Sequence, residues 1–112
     1  MIIRPFEDDD RQTVIKLWRR CGLVVAWNDP EADIDRKLRV DPELFVVGLA
    51  GSRLVATAMG GYDGHRGSLY YLAVDAEQQG RGYGRKIADY IADLLEQRGC
   101  PKINIMVRSS NT

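Results

Sequence analysis

The chain has 112 residues, 45% of them hydrophobic, with 16 lysines and arginines against 16 aspartates and glutamates. That supports one domain, residues 1–112, without the global field that draws a protein to nucleic acid or an anionic membrane. No apolar run approaches the roughly 20 residues that cross a bilayer, and Met1-Ile2-Ile3-Arg4-Pro5 is no signal-peptide core, so a cytosolic protein is expected.

Met1–Phe6 is a short apolar run broken by Arg4 and Pro5, which suits an edge strand because proline cannot donate to a ladder. Asp8, Asp9 and Asp10 open a helix whose apolar face is Val14, Ile15, Leu17, Trp18 and Cys21 and which stops at Gly22. Leu23–Asn28 reads as a loop. Asp29-Pro30-Glu31 combines an N-cap, a first-turn proline and an acid, launching a second helix to about Val40. Leu44–Ala50 is a nearly all-apolar strand covered on both faces, Gly51-Ser52 a tight turn, and Arg53–Tyr62 the returning strand, with a bend or close backbone approach expected at Gly60-Gly61. After a turn at Asp63–Gly67, Ser68–Val74 is the next strand. Ile87, Ala88, Ile91, Leu94 and Leu95 then form the apolar face of a third helix, ended by Gly99 and Pro101, and Lys102–Val107 is the last strand. The sum is mixed α/β with antiparallel and parallel parts. Cys21 and Cys100 are too few and too isolated for a disulfide framework or a zinc site and read as structural thiols, so no metal is expected.

The stretch Leu69–Tyr90 carries the functional signal. An apolar strand ends at Val74, the acid Asp75 follows, and Gln79 opens Gln79-Gly80-Arg81-Gly82-Tyr83-Gly84 before the amphipathic helix. A helix N-terminus leaves backbone N–H groups without partners, and glycines let phosphate oxygens approach them, so the stretch reads as a pyrophosphate cradle. It is not a P-loop, because no Ser or Thr follows Lys86, and the glycines at every second residue do not match the dinucleotide fingerprint.

Gln79–Gly84 matches the [QR]-x-x-G-x-[GA] signature of the GNAT superfamily of acetyl-CoA-dependent N-acyltransferases, and Leu72-Ala73-Val74-Asp75 resembles the end of its fourth strand. Ala26–Pro30, Gly60–Gly67 and Arg98–Ile103 resemble the YpeA-like branch, so that the likeness spans the chain. It implies a GNAT-like fold in which the fourth and fifth strands splay to admit the pantetheine arm, and acetyl transfer from acetyl-CoA to a primary amine of an unidentified small molecule, peptide or protein. Leu72, Ala73 and Val74 would bind pantetheine through their backbones, and Gly80, Arg81, Gly82, Tyr83, Gly84 and Arg85 would cradle the pyrophosphate, with Gln79 shaping the loop. For Arg81 and Arg85 a solvated surface is the other reading.

The catalytic groups are not identified. Family members carry a glutamate on the fourth or fifth strand, where this chain has Ser68 and a position near Met106, neither of which can act as that base. The weak candidates are Tyr70, placed by period-two alternation on the face of Ser68 and Leu72, and His65 and Asp63 on the preceding turn. Trp27, Asn28, Asp29 and Tyr62 are acceptor-side candidates, Asp29 alternatively a helix cap. The resemblance also implies a further helix with a thiolate-protonating tyrosine and two more strands, yet the sequence ends at Thr112, where that helix is due. A truncated domain, homodimerisation through an exposed C-terminal sheet edge, and a non-catalytic acyl-CoA-binding module are the resulting expectations.

Overall fold

A computed structural model of the chain describes residues 1–24, 29–62 and 64–100 together with the backbone of residues 102–104. Its elements are β1 (Ile2–Pro5), α1 (Arg11–Arg20), α2 (Pro30–Arg39), β2 (Phe45–Ala50), β3 (Arg53–Tyr62), β4 (Arg66–Val74), α3 (Tyr83–Gln97) and β5 (Lys102–Asn104), with single 3-10 turns at Asp8–Asp10, Pro42–Leu44 and Ala76–Gln78. The five strands form one sheet in chain order, antiparallel from β1 to β4 and parallel between β4 and β5, which α3 joins as a crossover. The mixed α/β reading holds. β4 begins two residues before the expected Ser68 and α3 already at Tyr83, while the expected continuation of β5 to Val107 and the C-terminal edge lie outside the described residues.

β2 is apolar throughout because both faces are covered. Val46 packs with Val55, Ala58, Leu69, Leu72 and Val74 against Ile87, Ile91 and Leu95 of α3. Phe45 and Val47 face the other way, toward Val14, Leu17 and Trp18 of α1 and Ile34 of α2. Full burial of such side chains contributes roughly 1.5–3 kcal/mol each. The glycine pair of β3 serves close approach and does not break the strand: a Cβ on Gly60 would meet Ile91 Cγ2 at 2.8 Å on the α3 face, and one on Gly61 would meet the Tyr70 hydroxyl at 2.0 Å on the other. α2 begins as the sequence implies, with Asp29 accepting from the amides of Glu31 and Ala32 at 3.1 Å and Pro30 in the first turn.

The aspartate cluster forms a 3-10 turn. Asp10 accepts from the Glu7 amide at 2.9 Å and takes a two-pronged contact from Arg4 at 2.8 and 2.9 Å, tying α1 to the edge strand. The Arg4 guanidinium holds the Asp10 carboxyl below its ordinary 3.8. A carboxyl depressed on folding adds stability that is present above the ordinary value and is lost as the pH falls through the depressed one. Arg4→Met is therefore expected to lower the unfolding free energy at pH 7 by about 1 kcal/mol or less, the pair being partly exposed, and to have little effect at about pH 2. Urea denaturation of both proteins at the two pH values checks this.

Candidate functional site

β4 is where the fold departs from regular geometry. Thr57 pairs with Ala73 and Met59 with Tyr70, so Ala58 of β3 stands opposite two residues, Tyr71 and Leu72. This is a β-bulge, and Tyr71 takes the left-handed conformation (φ 49°). Buried side chains fix it: the Trp18 indole donates to the Thr57 hydroxyl at 2.9 Å, which donates to the Tyr71 carbonyl at 2.9 Å. The Tyr71 ring stacks on Trp18 with centroids 4.0 Å apart, and its hydroxyl donates to Asp33 at 2.5 Å. The extra residue corrects the expected face of Tyr70. Leu69, Leu72 and Val74 face α3, whereas Tyr70 and Tyr71 both face α2, so Tyr70 does not share a face with Leu72.

Beyond Val74 the chain is held from three directions. The buried Asp75 carboxylate accepts from Arg20 at 3.2 Å, Arg53 at 3.4 Å and the Glu77 amide at 3.1 Å. The Gln79 amide donates to the Val74 carbonyl at 3.2 Å, with Cys21 Sγ 3.5 Å from the same oxygen. Gln79 is thereby tied to the end of β4, and the Val74 carbonyl is already engaged. Cys21 is a structural thiol, its pKa pushed up by burial. Gly80 (φ 86°) and Gly82 (φ 76°) both need the left-handed region, and a Cβ on either would point into open space. Gly82 is the N-cap of α3 and its carbonyl accepts the first helical bond from Lys86 at 3.0 Å, so the amides of Tyr83, Gly84 and Arg85 lie outside the helical ladder. Gly84 is already helical. Arg81 is exposed, and Arg85 is exposed beside Asp89 at 3.3 Å. Open space above unpartnered amides at a helix start fits a diphosphate. Among the described residues β4 pairs with β5 from Arg66 to Ser68, and the expected splay of the two strands falls outside the described residues.

On the α2 side of the sheet lie two adjoining cavities of about 220 and 400 Å³. The smaller is bounded by Tyr62, Arg66 and Ser68, the larger by Asp33, Met59 and Tyr71, and both by Lys37, Val40 and Tyr70. Lys37 is half-buried and donates to the Gly60 carbonyl, and desolvation lowers its pKa. Sequence reading missed Lys37, Tyr71 and Asp33. Of the residues it singled out, Tyr70 and Tyr62 line this cleft, and Asp29 caps α2. His65 is exposed on the turn before β4, seven residues from Leu72, on the order of 20 Å along an extended strand. Trp27, Asn28, Asp63 and Met106 lie outside the described residues.

Solved structures share this architecture. The chain superposes on Ard1 from Thermoplasma volcanium with a TM-score of 0.81 at 22% identity, covering 98% of this chain and 73% of that one. A predicted acetyltransferase from Clostridium acetobutylicum, solved with acetyl-CoA, matches with a TM-score of 0.75 at 13% identity over 98% and 82% of the two chains. At these identities the likeness is one of fold. Sequence comparison goes further: an acetyltransferase of Yersinia pestis is 52% identical over 99% of this chain and 79% of its own length, and one of Sodalis glossinidius 51% identical over 99% and 78%. The model of the acetyltransferase (GNAT) family matches residues 8–112, and the chain belongs to that family. Among the described residues no helix is long and apolar enough to cross a membrane.

The hydroxyl of Thr57 links α1 to the β4 bulge, and removing it leaves a buried indole N–H without an acceptor. Thr57→Val is expected to cost about 1–3 kcal/mol of stability and Thr57→Ser much less, read from urea unfolding midpoints.

Proposed function

We propose that this domain transfers the acetyl group of acetyl-CoA to a primary amine. The observation that carries the reading is the run from the pinned bulge of β4 through two left-handed glycines to the open amides of α3. In the proposed complex the amides of Tyr83, Gly84 and Arg85 meet the coenzyme diphosphate, helped by the positive end of the helix and the charges of Arg81 and Arg85. Backbone groups of Leu72 and Ala73 hold the pantetheine arm. Acetyl-CoA supplies a thioester, and the protein's part is to hold its carbonyl beside the α2-side cleft, where the amine arrives past Tyr62 and Tyr70. The amine nitrogen bonds to the acetyl carbon, the carbon–sulfur bond breaks, and the proton lost by nitrogen balances the one gained by the thiolate. A backbone N–H aimed at the carbonyl oxygen stabilises the charge that develops there.

Isothermal titration with CoA and a thiol-release assay over a panel of amines test the reading. Gly82→Val forces a β-branched residue to φ 76° and crowds the cradle. It is expected to weaken CoA binding at least about tenfold, roughly 1.4 kcal/mol, with the unfolding midpoint measured alongside. Unchanged affinity would remove the cradle. Tight CoA binding with no turnover on any amine would make the domain an acyl-CoA-binding module.

A further inference from the structure

The cleft between α2 and the sheet also carries information about the acceptor. It opens beside Tyr70 and Tyr71, the two residues immediately before Leu72. The described residues leave three large apolar side chains markedly exposed, and two of them, Val40 (63%) and Tyr70 (46%), line it. Lys37 lines both cavities with them.

The electrostatics of Lys37 are unusual for a helix lysine. Its carboxylate neighbours are committed elsewhere: Asp33 to the Tyr71 hydroxyl and Arg36, Asp41 and Glu43 to Arg98. Among the described residues no carboxylate lies within ion-pair distance of the Lys37 ammonium, whose hydrogen bond goes to the neutral Gly60 carbonyl. A half-buried ammonium on which Asp41 and Glu43 act only from beyond ion-pair distance is costly to the fold, and an anion entering the cleft would supply a direct partner. The walls carry further charge of both signs, Arg66 and Asp41 on the smaller cavity and Arg36 and Asp33 on the larger, so that Lys37 is the cation common to both.

We propose that the acceptor is a small amine carrying a compact anionic group, a carboxylate or a phosphate, which docks on Lys37 while its amino group reaches toward the backbone at Leu72. This rests on the acetyltransferase reading. Val40 and Tyr70 cover the short carbon chain between the two groups, and Lys37 is a positioning residue with no part in proton transfer.

The test uses the whole chain loaded with CoA and three amines of similar length: propylamine, β-alanine and phosphoethanolamine. Calorimetric titration is expected to show at least one of the two anionic amines binding about tenfold or more tighter than propylamine, and which of them does so separates carboxylate from phosphate. In Lys37→Met the preference falls to within about twofold, and in Lys37→Arg it is retained. Thermal melts of all three proteins accompany the titrations, and Lys37→Gln replaces the methionine variant if that does not fold. No preference in the wild type, or a preference that survives in whichever of Lys37→Met and Lys37→Gln folds, overturns the assignment while leaving CoA binding intact. Failure of CoA itself to bind is read in the loading step, overturns the acetyltransferase reading, and takes this inference with it.

Discussion

A single buried hydroxyl organises the working face of this domain. Thr57 lies in the middle of β3 with no exposure to solvent, and its oxygen serves the Trp18 indole and the Tyr71 carbonyl at once. A carbonyl turned out of the ladder by a left-handed residue needs a partner, since leaving it buried and unpaired would cost about as much as a lost hydrogen bond. With Thr57 beneath it, the extra residue of β4 is stabilised in one register. Two tyrosines are then turned to the α2 side, Tyr70 exposed there, and Leu72 back to the core, while the last three residues of the strand are buried.

The second constraint acts at that end. Asp75 is a buried carboxylate whose partners come from three places: the last turn of α1, the start of β3 and its own following turn. Buried ion pairs add little net stability over apolar packing, but removal of one partner leaves a charge stranded, so they specify geometry strongly. Here they set the direction in which the chain leaves the sheet. Gln79 closes the same corner from the loop side by bonding back to Val74. The glycine turn that follows has its root fixed, and a Cβ on Gly80 or Gly82 would meet nothing within 4 Å.

Much of the fold was legible because local chemistry and tertiary demand agree. Asp29-Pro30-Glu31 has the residues of a helix start and makes the bonds of one, and Leu44–Ala50 is apolar on both faces because helices cover both. The bulge was hidden for a related reason. Alternation counting assumes one residue per register position, and Leu69, Leu72 and Val74, spaced by three and then two, do carry the trace of an insertion. In a strand apolar on both sides, however, that spacing has no polar face to contrast with. Lys37 was invisible for the opposite reason: on α2, between Arg36 and Leu38, it is indistinguishable from a solvated lysine until β3 approaches at the side-chain-free Gly60. Gly84 misled in the other direction, since its place in a regular glycine series concealed that it is already helical and that the left-handed turns belong to Gly80 and Gly82.

Zero net charge makes the placement of local fields decisive. Two sites with basic side chains lie near β4: the start of α3 with Arg81 and Arg85, and the cleft around Lys37, which Asp33 and Asp41 also line. They lie on either side of the bulge, one along the chain beyond Val74 and one across the sheet beside Tyr70. If the first holds a diphosphate and the second an anionic acceptor, neither substrate needs a charge near the reacting atoms to be retained, because each is gripped at its far end. The reacting carbon and nitrogen then meet over Leu72, between the two grips. A backbone dipole is the group best suited to that position, since it can stabilise developing charge without repelling the incoming amine or trapping the departing thiolate.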